Sequence, residues 1–398
     1  MTNKEAAVKV IKRLHDKGFQ ALLAGGCVRD MLLGRAAKDY DIATDARPED
    51  VQKMFRRTLA VGAKFGVVIV MLDNCQIEVA TFRTESGYAD GRHPETVAFS
   101  NAREDAARRD FTINGMFYDP IDDKIYDYVG GREDLQAKVL RTIGKPGERF
   151  GEDYLRMLRA VRFSVQLGFA IDDDTWQAVC ENAGKITCIS GERISMELES
   201  VLVDLNRSKG AGLLCSSSLA NAIFEGFAGE FVDFGIKVLG LLEGDVEYAL
   251  GLAGLFGGFS TDYAMKQTAI LMLSNAQIKH LQFLMENRGR LLEELTLADL
   301  KILLASGYFE TLYKFQTAII MAQEQAQEPL LAVRLRVNDL AGTEIKPKPL
   351  LDGNELLALG VAPGPAVGRA AGEMYYLQLN EDITTREQAV DWLKDYLK

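Results

Sequence analysis

Histidine and cysteine are scarce in this chain, and their scarcity removes whole classes of chemistry. Only three histidines occur in 398 residues, His15, His93 and His280. They are too few and too far apart to build a His-rich metal centre. The neighbouring His15-Asp16 pair is a fragment of a metal phosphohydrolase, but the further His and Asp ligands that such chemistry needs are missing. Five cysteines, Cys27, Cys75, Cys180, Cys188 and Cys215, form no C-x-x-C pair, so neither a zinc ribbon nor a disulfide framework is indicated. They are expected to be reduced thiols that pack. Long apolar runs are lacking as well: no segment reaches the roughly 18 uninterrupted apolar residues of a membrane helix. The N-terminus carries Lys4, Glu5, Lys9, Lys12 and Arg13 where a signal peptide would be apolar. A cytoplasmic protein with no membrane partner is expected. No internal repeat and no low-complexity segment is seen.

What is present is a large apolar fraction, 47%, enough to bury a substantial core in two or more domains. The formal net charge of −11 runs against the basic footprint expected of a phosphate-gripping protein. Local charge differs from the total. Residues 141–170 hold six basic side chains, Arg141, Lys145, Arg149, Arg156, Arg159 and Arg162, against three acidic ones, Glu148, Glu152 and Asp153, a local +3. A basic stripe on an acidic body suits a protein that holds one RNA briefly and lets it go.

The pattern changes near residue 143. Before it, β-branched apolar runs at 66–72, 75–82 and 124–129 alternate with helical patterns at 5–17 and 48–56, which predicts a mixed α/β region. After it, helix periodicity dominates at 152–167, 173–183, 191–204, 277–294, 296–305 and 308–327. A Pro/Gly/Lys stretch at 346–353 separates these from a last helical unit at 366–379 and 385–398.

Several short motifs carry chemistry. Residues 22–30 read L-L-A-G-G-C-V-R-D, an apolar strand entering a Gly-Gly turn. Paired glycines such as Gly25 and Gly26 admit a phosphate to backbone N–H groups, and Arg29 would neutralise it; a plain strand-to-helix turn reads the same way. In K-D-Y-D-I at 38–42, a strand would put Asp39 and Asp41 on one face. Two adjacent carboxylates repel unless a cation sits between them, and Mg²⁺ prefers such hard oxygens. Alternation in Q-I-E-V-A-T-F-R at 76–83 places Ile77, Val79 and Thr81 on one face and Glu78 with Ala80 and Phe82 on the other. Glu78 is then either a third carboxylate for two Mg²⁺ ions or a surface residue. Residues 83–94, polar and glycine-rich without periodicity, read as a mobile loop.

The set G-G-C-V-R-D, D-Y-D, E-V-A-T-F-R, R-R-D-F-T-I-N at 108–114 and E-D-Y-L-R-M-L-R at 152–159 resembles the class II tRNA nucleotidyltransferases. That family includes CCA-adding enzymes, enzymes that add only CC or only the final A, and bacterial poly(A) polymerases. The resemblance implies an α+β fold, with a nucleotidyltransferase-type β-sheet head at 1–142, followed by an all-α neck at 143–205, body at 206–330 and tRNA-binding tail at 331–398. It implies a template-independent enzyme that adds CCA or the terminal A to tRNA from ATP, and from CTP if the whole CCA is built, with no protein partner. Gly26 and Arg29 would contact the triphosphate, Asp39 and Asp41 would hold Mg²⁺, Arg109 and Asp110 would address phosphate and ribose, and Asn114 would support them. Residues 83–94 occupy the place of the family's flexible loop, whose presence argues against CC-only addition.

In the last motif, Asp153 and Arg156 are expected three apart on one helix face. A carboxylate accepts from an exocyclic amine and a guanidinium donates to a ring acceptor, so the pair would read cytosine and adenine and reject uracil and guanine. Arg159 and Arg162 would continue towards the phosphates. Otherwise the pair is an ordinary helix ion pair. Two alternatives stand beside this reading: a poly(A) polymerase, although residues 340–398 lack the strongly basic C-terminal part usual there, and a catalytically inactive RNA-binding module of the same fold.

Overall fold

A computed structural model of the chain describes residues 1–59, 66–87 and 96–398. The fold is mixed α+β: a sheet-bearing N-terminal part followed almost entirely by helices. It divides into two compact units, residues 1–227 with 270–272, and residues 228–269 with 273–398.

The first unit opens with α1 (Asn3–His15), capped by reciprocal Thr2 and Glu5 hydrogen bonds, which buries Ala6, Ala7, Val10, Ile11 and Leu14 along one stripe. It packs against β1 (Ala21–Ala24) and β5 (Cys75–Thr81). A seven-stranded sheet runs in the order β3-β4-β5-β2-β1-β8-β9. Its other strands are β2 (Ile42–Thr44), β3 (Thr58–Leu59), β4 (Val67–Leu72), β8 (Phe117–Asp119) and β9 (Lys124–Tyr126). All neighbours are antiparallel except β2 and β5. The central β1 is buried at all four positions. Helices α2 (Gly26–Leu32), α3 (Pro48–Met54), α4 (Ala102–Ala107) and α5 (Gly131–Ala137) surround it. Phe82, placed with Glu78 by alternation, lies past the end of β5 and is fully buried with Leu22, Ala24, Ala43 and Phe117.

Three expectations for this unit need revision. Of the segment read as a loop, Arg83–Ser86 is a strand, β6, paired antiparallel with β7 (Thr96–Phe99); residues 88–95 lie outside the described residues. The helix expected over 152–167 is two helices, α6 (Pro146–Glu152) and α7 (Leu155–Leu167). Asp153 between them is extended (φ −152°, ψ 104°) and accepts the Leu155 N–H at 3.0 Å. A short acidic side chain that bonds a nearby backbone N–H competes with helix continuation, and here it wins. Strand signal does not end at 143 either, since β10 (Val139–Leu140) pairs in parallel with β11 (Ala170–Ile171). Helices α8 (Asp173–Asn182), α9 (Gly191–Leu202), α10 (Arg207–Ser216) and α11 (Leu219–Ile223) complete the unit.

The second unit is helical: α12 (Glu230–Leu241), α13 (Tyr248–Leu255), α14 (Thr261–Thr268), α15 (Asn275–Glu286), α16 (Leu297–Ala305), α17 (Phe309–Ala322) and α18 (Glu328–Asp339), then α19 (Gly353–Ala358), α20 (Pro365–Leu379) and α21 (Arg386–Tyr396). Every residue of α13 is buried. The last three helices share their own cluster around Leu351, Leu356, Met374 and Leu393. Among the described residues no helix is long and apolar enough to cross a membrane.

One close approach positions the turn that carries Asn114. A Cβ built on Gly131 would lie 2.3 Å from the Thr112 carbonyl oxygen and 2.8 Å from Met116, and a backbone atom cannot step aside. Gly131→Ala is therefore expected to destabilise the protein by about 1–3 kcal/mol through overpacking, read as a lower urea midpoint. An unchanged midpoint would show that the turn has room.

Candidate nucleotide site

The sequence motifs converge in the first unit on one cavity of about 950 Å³. Asp39, Asp41, Glu78, Gly25, Gly26, Arg29, Arg109, Asp110, Asn114, Asp153, Arg156, Arg159 and Arg162 all border it.

One side is acidic. Asp41 precedes β2, yet its carbonyl still accepts the Ala24 N–H at 3.0 Å, so the ladder runs one residue past the strand. Asp39 lies in the irregular segment before it, not in a strand as expected. The carboxylates are nevertheless electrostatic neighbours: burial, then Glu78, then Asp39 push the Asp41 carboxyl up to about 6, with Arg109 opposing. Glu78 sits on the open face of β5, while Ile77, Val79 and Thr81 are buried. Among the described residues no three His, Cys, Asp or Glu side chains stand together as a ready-made metal centre.

Another part of the lining is basic. Arg29, buried on α2, Arg159 and Arg162 lie over the single Phe163 ring with guanidinium-to-centroid distances of 5.2, 5.2 and 4.4 Å. A chain of hydrogen bonds joins sheet to helix. Arg29 donates to Asn114 Oδ1 (2.8 Å), and Asn114 Nδ2 donates to Asp110 Oδ1 (3.1 Å). Arg159 donates to Asp110 Oδ2 from Nε (2.9 Å) and Nη2 (2.5 Å). With the Phe111 N–H also on Oδ1 at 2.8 Å, Asp110 accepts four hydrogen bonds from protein groups. Burial alone would raise its carboxyl; the Arg159 charge and these hydrogen bonds outweigh burial and hold it at about 2. Arg162 Nε stands 2.8 Å from Glu197 Oε2 without hydrogen-bond alignment. Burial foremost, with Arg159 and Arg29 nearby, lowers the Arg162 pKa against the pull of Glu197.

Asp153 and Arg156 face the same cavity, but they do not share a helix face; the bond between them runs from the Arg156 N–H to the Asp153 carbonyl (3.0 Å), and their side chains have other partners. Asp153 pairs with Arg193 at 2.7 Å. Arg156 donates from Nη1 to Glu152 Oε2 (2.5 Å) and to the Arg149 carbonyl (2.9 Å). Arg193, Glu152 and Glu197 were not singled out in the sequence. Arg193 and Glu197 lie on α9, one helix from any motif, and only the fold brings them in. Gly25 has φ +73°, a conformation that favours glycine, and a Cβ there would lie 2.8 Å from Arg109 Nη1.

The Asp110 node implies a pH dependence. Its folded pKa lies below the unfolded value, so its contribution is full above about pH 4, on the order of 2 kcal/mol, and is lost as pH falls towards about 2. Asp110→Asn is expected to be less stable than wild type at neutral pH, with the gap narrowing across that acid range in urea denaturation. A gap that stayed constant with pH would contradict the assignment.

Comparison with known proteins agrees with this geometry. The family model "Poly A polymerase head domain" matches residues 21–141, and "Probable RNA and SrmB- binding site of polymerase A" matches residues 168–230. Curated CCA-adding enzymes of Bacillus pumilus and Geobacillus stearothermophilus are 45% identical over 214 residues and 44% identical over 227 residues. Those matches cover 54% and 57% of this chain and 53% and 56% of the relatives, so the chain spans about half the length of the curated relatives it matches. The crystal structure of the Bacillus stearothermophilus CCA-adding enzyme in complex with CTP superposes with a TM-score of 0.81 at 30% identity, covering 100% of this chain and 98% of that one. A Thermotoga maritima CCA-adding enzyme complexed with tRNA, 20% identical with a TM-score of 0.68 over 99% of this chain and 95% of that one, shares the fold. By its full-length match to the first of these structures, together with both family models, the chain belongs to the family of the CCA-adding enzymes and poly(A) polymerases.

Proposed function

We propose that this protein is a template-independent nucleotidyltransferase that adds CCA, or only its terminal A, to the 3′ end of tRNA. The observation that carries this reading is a single cavity lined by the carboxylates Asp39, Asp41 and Glu78 together with the arginines Arg29, Arg159 and Arg162. A nucleoside triphosphate with its magnesium carries charges complementary to both groups. Its triphosphate relieves the crowding of the arginines, while Gly25 and Gly26 leave room for it.

The raised Asp41 carboxyl marks a place where positive charge is wanted, and Asp39 and Asp41 fit Mg²⁺, which commonly takes one or two protein carboxylates and fills the rest with water and substrate phosphate. Magnesium held there, as two ions, would acidify the RNA 3′-hydroxyl and offset charge on the α-phosphate and pyrophosphate. Arg29, Arg159 and Arg162 orient the triphosphate, Arg109 adds a positive charge that Asp41 also feels, and Asn114 and Asp110 hold Arg29 and Arg159 in place. Asp153 and Arg156 each have a protein partner to exchange for the base: Asp153 leaves Arg193 to accept the amine of cytosine or adenine, and Arg156 leaves Glu152 to donate to the adjacent ring acceptor. Uracil and guanine leave Asp153 facing a carbonyl.

The deciding experiment supplies each nucleoside triphosphate separately to tRNA transcripts ending at the discriminator base, at C and at CC. Extension of all three with CTP and ATP signifies CCA addition, extension of the CC end alone signifies A addition, and long A tails signify a poly(A) polymerase. RNA binding without incorporation would leave an inactive RNA-binding module. Asp39→Ala and Asp41→Ala are expected to fall below about a hundredth of the wild-type rate, given the several kcal/mol that bound metal supplies. Asp153→Ala is expected to lose about 1–3 kcal/mol of discrimination against UTP and GTP, the usual value of a good base contact, measured as the ratio of kcat/KM values. Full selectivity in that variant would remove Asp153 from base recognition.

A further inference from the structure

Asp105 is not among the residues that line this cavity and takes no part in the reaction above, yet it is almost completely buried, at 1% exposure. It sits on α4 one turn before Arg108 and Arg109 and receives both guanidinium groups as forks. Arg108 donates to Oδ1 from Nε (2.9 Å) and Nη2 (2.7 Å), and Arg109 to Oδ2 from Nε (3.2 Å) and Nη2 (3.0 Å). Ion pairs at this spacing are usually exposed and weak; this one is buried and doubly bidentate. Burial would raise the Asp105 carboxyl, but Arg109 and Arg108 outweigh it and hold it below the ordinary range.

The same node reaches the β6–β7 hairpin. The Arg83 N–H donates to Asp105 Oδ1 at 3.4 Å, and Arg108 Nε donates to the Arg83 carbonyl at 3.1 Å. Both backbone groups of the first β6 residue are thereby fastened to the carboxylate and its partner. Arg83, Arg108 and Arg109 all line the cavity. Arg109 continues over Phe117 at 5.0 Å, with Nη1 3.4 Å from the Asn114 carbonyl.

We propose that Asp105 is a positioning residue: it fixes Arg108 and Arg109 as a rigid pair on the cavity wall and ties the β6–β7 hairpin to them. Nucleotide affinity then depends on a carboxylate that touches no nucleotide. Two adjacent guanidiniums repel, and one shared carboxylate holds them together while leaving a net positive charge for the triphosphate. This inference rests on reading the cavity as a nucleotide site.

Asp105→Asn keeps the shape and turns one acceptor oxygen into a donor, which breaks one fork. The KM for ATP should rise by about tenfold, the equivalent of one charge-assisted hydrogen bond, with kcat changing less than KM. Because Asp105 acts through Arg109, adding Asp105→Asn to Arg109→Met should raise KM little beyond Arg109→Met alone. Asp105→Glu, which keeps the charge but displaces it by a methylene, should show the same KM-selective loss. A folded Asp105 variant with wild-type KM, additive effects in the double variant, or loss of the fold in both Asp105 variants would overturn the assignment. A wild-type protein that neither binds nor adds a nucleotide would instead overturn the nucleotide-site reading, so the two failures are distinguishable.

Discussion

The first unit depends on how Asp110 is shared. Its carboxylate is the only link in the hydrogen-bond chain that reaches both the sheet side, through Asn114 and Arg29, and the helix α7, through Arg159. Removing one partner of a buried charged pair costs several kcal/mol because the other charge is stranded. The short segment that presents Asp110 is anchored accordingly: Phe111 and Ile113 are fully buried, and Phe111 meets Phe163 edge-on at 5.8 Å. A rigid apolar clamp thus fixes a polar hub, and the hub fixes the arginines.

That hub also explains how a protein of net charge −11 presents a basic wall. The arginines of the cavity are not surface decoration. Arg29, Arg109, Arg156, Arg159 and Arg162 are partly or wholly buried and paired with carboxylates, Arg159 and Arg162 with Asp110 and Glu197. These pairings fix the arginines while leaving them in the cavity lining, so total charge says little about the potential inside it.

Much of this was legible in the sequence, because the motifs are local. L-L-A-G-G-C-V-R-D gives a strand, a turn and a buried Arg in nine residues, and R-R-D-F-T-I-N gives the hub and its clamp in seven. The periodic helices after residue 143 were legible for the same reason, since each writes its buried stripe into its own residues. The helix break at Asp153 was not, because apolar periodicity continues across it and only a backbone hydrogen bond reveals the joint. Nor were Arg193 and Glu197, whose roles come from α9 packing against α7. Strands of two residues, such as β3 and β10, carry too little pattern to be read at all.

The pairing of β1 with β8 has a consequence for how the chain is made. Leu23 sits opposite Tyr118, while β2, β3, β4 and β5 all lie between them in sequence. During synthesis β1 leaves the ribosome before the other strands of its sheet, and it finds β2 soon afterwards, yet its other edge stays open until the chain has been extended past Phe117. Contacts so distant in sequence form late, because the intervening loop must be closed first. For that interval an apolar strand, Ala21-Leu22-Leu23-Ala24, offers unpaired backbone groups to any neighbour. The same strand that later anchors the sheet is, in the nascent chain, its most exposed point for association with other chains.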